Sequence, residues 1–291
     1  MKQLTRLFIP ICLETLFYML SGMVDTLMLS AVGDYAVGAV GTANSYIGIF
    51  IIMFSIISSG MVSVMTQNIG AGRPGVAYQA RQLGLLFKAV AGVLMAVFLF
   101  SGAGAILRMV GIADALYEPA LIYLKIVGGG CILNAVIPIF SSYLRAFGYT
   151  KQPLYATIVG NIANFVMNAV FLFVLHKGVA GVATATVISK ILNLCIVLYF
   201  SHKLISAKNS TERIANKTVL GQIVKVGLPS ACETALYNVA MMLVIRFLNQ
   251  MDAEGLNVTA RSYTATISNF SYCVGACLLY TSPSPRDMRR S

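Results

Sequence analysis

Residues 7–31 read LFIPICLETLFYMLSGMVDTLMLSA. About 20 apolar residues cross about 30 Å of hydrocarbon as a helix. This run is longer than that and carries only two charges, Glu14 and Asp25. It is too long for the apolar core of a cleavable leader and has no small-residue cleavage site. It is therefore expected to stay in the protein as a first membrane span. Similar runs follow at about 43–66, 84–110, 120–144, 154–175, 179–201, 223–248 and 259–279. They are continuous rather than alternating, and only helices or closed barrels satisfy their own backbone inside a bilayer. The expectation is an all-α polytopic transmembrane helix bundle, with seven complete spans and an eighth running into the C-terminal tail.

Composition agrees. Of 291 residues, 58% are hydrophobic and 11% charged, and the mean hydropathy is +0.80. A soluble domain carries about 25% charged residues, so a soluble enzyme, a disordered chain, a collagen and a secreted disulfide scaffold are excluded. The formal net charge is +11. The basic residues punctuate the apolar runs instead of forming a patch, so no nucleic-acid partner is expected. Lys2, Arg6, Arg73, Arg81, Arg145, Lys151, Lys203, Lys208, Arg213 and Lys217 fall at one set of span ends. Asp34, Asp114, Glu118, Asp252 and Glu254 fall at the other set, where Lys177 is the main basic exception. The basic side is cytoplasmic by the positive-inside bias, and the N-terminus with it.

The first span is repeated. Pro10-Ile11-Cys12-Leu13-Glu14-Thr15-Leu16-Phe17-Tyr18 and Pro229-Ser230-Ala231-Cys232-Glu233-Thr234-Ala235-Leu236-Tyr237 both read P-x3-E-T-x2-Y, at an offset of 219. Six spans separate the copies, so the repeat is parallel, an arrangement that places a path between two lobes. The expected organisation is a six-helix N-lobe over 1–201, a cytoplasmic inter-lobe loop over 202–222, and the first two helices of a repeated C-lobe over 223–276. Cys277 to Asp287 resembles translated sequencing adapter and Met288–Ser291 a sample index, so 277–291 is expected to be an artefact. A lobe and a third lacks half of a path between lobes, so the fragment itself is expected to be inactive.

Charges inside a membrane are costly and usually face a cavity or a partner. Glu14 and Asp25 are eleven residues apart, about three helical turns, and share a face with Tyr18. A carboxylate in such a cavity can exchange a proton or a cation between two sides of the membrane. Glu233 repeats Glu14. In span five, Asn161, Asn164 and Asn168 fall on one face; they are either a polar wall or interhelical glue. Span six opens Gly178-Val179-Ala180-Gly181-Val182-Ala183-Thr184-Ala185-Thr186, where small residues permit close approach and Thr186 offers a hydroxyl. Lys190 lies deeper and is a candidate partner for a buried carboxylate, whereas Lys125, Arg246 and Arg261 near span ends can snorkel.

Other signals carry no chemistry. Cys12, Cys131, Cys195, Cys232, Cys273 and Cys277 form no CxxC pair and read as packing residues. His176 and His202 do not make a metal site. Gln67-Asn68-Ile69-Gly70-Ala71-Gly72-Arg73 follows a membrane helix and lacks a Gly-Lys-Ser/Thr ending, so no nucleotide site is read there. No nucleophile–base pair stands out and no enzyme is expected.

Taken in order, Pro10 with Glu14, Val24-Asp25-Thr26, Gln67-x2-Gly70-Ala71-Gly72, Arg145-Ala146-x-Gly148, Asn164-x3-Asn168, Gly178-x2-Gly181-x-Ala183-x-Ala185-Thr186 and Gly227-Leu228-Pro229 resemble the multidrug and toxic compound extrusion (MATE) family over about 1–276. The resemblance implies twelve helices in two six-helix lobes. It also implies cation-coupled (H+ or Na+) export of small organic cations by alternating access, from a multi-pass monomer in the plasma membrane, without a further cofactor. The family's N-lobe ion site then falls on Asp25, Asn164 and Thr186, with Asn168 where the family has a second Asp. That departure leaves one carboxylate and puts sodium at Asp25 in question. Glu14, Tyr18, Glu233 and Lys190 become secondary coupling or substrate candidates. Two rivals remain: a lipid-linked oligosaccharide flippase, for which Lys125, Lys190 and Arg246 supply few basic groups, and a non-transporting membrane scaffold.

Overall fold

A computed structural model describes residues 2–205, 214–251 and 256–281. Within its helices some side chains lie outside the description, those of Glu233, Cys273 and Cys277 among them. Lys208, Arg213, Asp252, Glu254 and residues 282–291 are outside it altogether.

The described chain is helical. It runs α1 (Lys2–Ser30), α2 (Asp34–Gly70), α3 (Pro74–Val110), α4 (Asp114–Gly129), α5 (Cys131–Ala146), α6 (Lys151–Ala169), a π turn (Val170–Val174), α7 (Gly178–Leu204), α8 (Asn216–Met251) and α9 (Leu256–Thr281). The connections are short because the sequence punctuates them. Gly72, at φ +73°, lets the chain reverse after α2, and Pro74 opens α3 at a position where its missing N–H costs nothing. Gly111, at φ +67°, ends α3 in the left-handed region.

Among the described residues, α1, α3, α6 with its π turn, and α7 are each long and apolar enough to cross a membrane, and α4 with α5 meets that measure as a bent pair. The expectation of seven complete spans is corrected: the runs at about 43–66, 223–248 and 259–279, in α2, α8 and α9, are not among the helices that meet this measure. The continuous span expected over 120–144 is two helices bent by 44° around Gly130. Gly128, Gly129 and Gly130 weaken the helix there, and the neighbours exploit the missing side chains. A Cβ at Gly128 would stand 2.9 Å from Leu99 of α3, and one at Gly130 3.1 Å from Val187 of α7.

Leu86, Val90, Leu94 and Val97 form an exposed stripe along α3, the lipid-facing side expected of a membrane bundle. The core lies between the helices. One cluster centres on Leu29, Ala36, Ala39, Leu99, Leu107, Leu116 and Leu124, a second on Met61, Met65, Ala77, Ile139, Tyr143 and Ile223. The second ties α8 to α2, α3 and α5. Gly60 of α2 comes so close to the backbone of Ile223 that no Cβ fits, and Gly38 and Gly41 lie close against the side chains of Thr259 and Ser262 of α9. α2 is thus the seam on which α8 and α9 rest. It has 37 residues, about 55 Å at 1.5 Å per residue, longer than the roughly 30 Å of a bilayer's hydrocarbon.

Candidate functional site

Asp25 lies in the last two turns of α1, which packs against α6. Two amides stand opposite on α6, one turn apart. Asn168 Nδ2 donates to Asp25 Oδ1 at 2.6 Å and to Asn164 Oδ1 at 3.1 Å. Asn164 Nδ2 then donates to Ser189 Oγ of α7 at 3.5 Å, and Ser189 Oγ donates to the carbonyl of Thr186 at 2.9 Å. Asn164 and Asn168 are buried. A chain of four polar side chains therefore crosses three apolar helices, the kind of network that an interior stripe on an amphipathic span exists to make. The π turn begins two residues after Asn168, where Leu175 N donates to Val170 O at 3.0 Å. Such widened turns are common beside functional sites.

A second polar layer surrounds the first. Lys190, next to Ser189, donates from Nζ to Asn134 Oδ1 of α5 at 2.8 Å, and Asp25 and Cys131 stand within its Coulombic reach. Tyr123 of α4 is buried, lies within reach of the Asp25 charge and hydrogen-bonds with Asn44 of α2. Asn44 in turn lines a cleft of about 360 Å³ between α1, α2 and α9, with Tyr18, Gly22, Thr26, Ser45, Arg261 and Ser262. The cleft and the Asp25 network thus share a wall.

The sequence-based candidates divide. Asp25, Asn168 and Asn164 are brought together by hydrogen bonds. Thr186 joins through its backbone, because its hydroxyl donates to Val182 O at 2.9 Å on its own helix. Lys190 bonds an amide, not a carboxylate. Tyr18 is 67% exposed at the lip of the cleft. Glu14 is tied to Arg145 Nη2 at 2.5 Å, the one ion pair among the described residues. Asn161 Nδ2 donates to Phe17 O at 2.7 Å and pins α6 to α1. Glu233 lies on α8, with its side chain outside the described residues. Ser189, Asn134 and Tyr123 were not singled out. Asn134 gave the same signal as Asn164, an amide in an apolar run.

Sodium fits these residues poorly. A sodium site needs oxygens converging on one point. Here an N–H of Asn168 faces the Asp25 carboxylate, the Asn164 oxygen accepts from Asn168, and the Thr186 hydroxyl turns to its helix. A single carboxylate, Asp25, takes part in the network.

The sequence model of the MatE family matches residues 10–170. The chain belongs to the MatE family. It is 34% identical over 275 residues to the uncharacterized transporter YisQ of Bacillus subtilis, covering 92% of this chain and 60% of that protein. It is 24% identical over 282 residues to the probable multidrug resistance protein NorM of Thermotoga maritima, covering 90% of this chain and 59% of the relative. The chain therefore spans about 60% of these MatE relatives. Its fold matches that of a multidrug resistance MATE family transporter solved in an inward-facing conformation, with a TM-score of 0.73 at 21% identity, covering 93% of this chain and 64% of that one. An outward-facing one gives 0.74 at 20% identity, covering 96% and 68%. This MatE chain is a multi-pass membrane protein.

Proposed function

We propose that the protein to which this chain belongs exports small organic cations across the plasma membrane, in exchange for a coupling cation and by alternating access. Asp25 is the coupling acid, and Asn168, Asn164 and Ser189 hold it in place. The observation that carries the proposal is the 2.6 Å contact between Asp25 and Asn168 inside a membrane bundle. A carboxylate is costly there, and this one is set next to a cleft rather than locked into an ion pair as Glu14 is. A proton bound to Asp25 in one conformation and released in the other would couple its movement to that of a positively charged substrate. The charge bias of the loops supports a cytoplasmic N-terminus, and the protein acts as a monomer.

The test is drug resistance in cells carrying the full-length gene with Asp25→Asn. Loss of resistance to cationic dyes, at unchanged protein level in the membrane, is the expected outcome. Unchanged resistance would sink the assignment.

A second reading has one observation in its favour. Arg261 is the charged residue among those lining the cleft, which suits the anionic headgroup that a lipid-linked oligosaccharide flippase would carry. One guanidinium is a thin lining for a pyrophosphate, so the antiporter reading is preferred.

A further inference from the structure

We propose that Arg261 determines specificity in the cleft between α1, α2 and α9 by taking a carboxylate carried by the cargo, so that small zwitterions are favoured over simple cations. The inference rests on the reading of the cargo as a small organic cation and deepens it by naming a second group on the same molecule.

The cleft has the size of a small-molecule site. Its volume is about 360 Å³, at the lower end of the roughly 300–1,000 Å³ of ligand pockets. Among the described residues that line it, Arg261 of α9 carries the charge, and no carboxylate joins it there. The ion pair among the described residues, Glu14 with Arg145, does not line the cleft. A guanidinium has five N–H donors. Nη2 of Arg261 donates to Met241 Sδ of α8 at 3.5 Å, and a thioether is a weak acceptor. The hydroxyls beside it point their protons elsewhere: Ser45 Oγ donates to Gly41 O at 2.9 Å and Ser262 Oγ to Val258 O at 3.0 Å, each on its own helix. The charge-assisted donor that the cleft offers is the guanidinium.

Arg261 also stands on fixed backbone. Thr259 Oγ1 donates to Asp34 O at 3.4 Å, and Tyr263 OH donates to Asp34 Oδ1 at 2.8 Å. Ser262 packs so close to Gly41 that a Cβ on Gly41 would collide with its hydroxyl. Residues on both sides of Arg261 therefore hold α9 against α2, the support that a binding side chain needs.

The chemistry of the group sets the class of ligand. The planar fork of a guanidinium matches a carboxylate with two parallel hydrogen bonds. One guanidinium neutralises one carboxylate, and the volume suits a small molecule rather than a lipid-linked sugar. A cargo that is exchanged for a cation and also bears a carboxylate is a zwitterion.

The test compares tetramethylrhodamine, a xanthylium cation with a free carboxylate, with its methyl ester, the cation alone. Binding of each dye to the purified full-length transporter is read by fluorescence anisotropy at neutral pH, and the ratio of the two dissociation constants is compared between proteins, so that partition into detergent cancels. Arg261→Gln is expected to weaken binding of the acid about tenfold more than binding of the ester, the scale of one charge-assisted hydrogen bond. Arg261→Lys, which keeps the charge and loses the fork, is expected to fall between wild type and Arg261→Gln. The proposal is overturned by a wild type that binds neither dye, by an unchanged ratio in Arg261→Gln, or by an Arg261→Gln protein that loses both dyes equally. Export measured alongside keeps the two claims apart: normal dye export by Asp25→Asn defeats the coupling acid, whereas the ratio of dissociation constants decides the role of Arg261.

Discussion

Asn168 of α6 donates to Asp25 of α1 at 2.6 Å and, with the same nitrogen, to Asn164 at 3.1 Å. One amide thus fixes both the carboxylate and its own neighbour one turn back. A hydrogen bond to a charged group contributes about 1.5–3 kcal/mol. Asn168→Leu is expected to lower stability by about that amount and to abolish export. Thermal unfolding in detergent and dye efflux from cells check the two halves separately.

The Glu14–Arg145 pair joins α1 to α5, and its members are unequally buried, with side chains 12% and 33% exposed. Removing Arg145 strands a buried anion, whereas removing Glu14 leaves a guanidinium that water can still reach. Arg145→Ala is expected to cost about 3–5 kcal/mol and Glu14→Gln distinctly less. Unfolding of both single variants and the double one should show the order. Equal losses would contradict the asymmetry.

Gly60 lets α2 lie against the backbone of α8 at Ile223. A methyl group there has to push two helices apart, an overpacking that typically costs about 1–3 kcal/mol. Gly60→Ala is expected to lower the melting temperature, whereas Gly70→Ala, where a Cβ meets nothing within 4 Å, is expected to have little effect.

Gln79 of α3 grips the segment that leads into α8 with both ends of its amide. Its Nε2 donates to Ile214 O at 2.8 Å and to Asn216 Oδ1, and its Oε1 accepts from Ile214 N at 3.2 Å. Gln79→Leu is expected to raise the hydrogen-exchange rate of the Ile214 amide while leaving amides in α6 and α7 unchanged. Exchange measured by mass spectrometry reads this directly.

Part of the fold was legible because a bilayer imposes a length on a spanning helix, and among the described residues α1, α3, α6 with its π turn, and α7 meet it. The break at Gly130 was not legible from run length, because the apolar character continues straight through it; the three consecutive glycines were the available clue. At the site, Asp25, Asn164 and Asn168 stood out because each is polar in an apolar helix and their spacings fall on one face. Thr186 shares that pattern, yet its hydroxyl bonds its own turn. Spacing places a residue on a face but does not choose its rotamer. Arg145 could not be matched with Glu14 beforehand, because the pair bridges 131 residues of sequence.

The most direct measurement is dye transport by the full-length protein in proteoliposomes under an imposed proton gradient, with wild type and Asp25→Asn compared at equal protein density. Gradient-driven dye movement in wild type and none in Asp25→Asn is the expected result. Equal gradient-driven movement in both would contradict the role given to Asp25 and to the Asn168 contact that holds it.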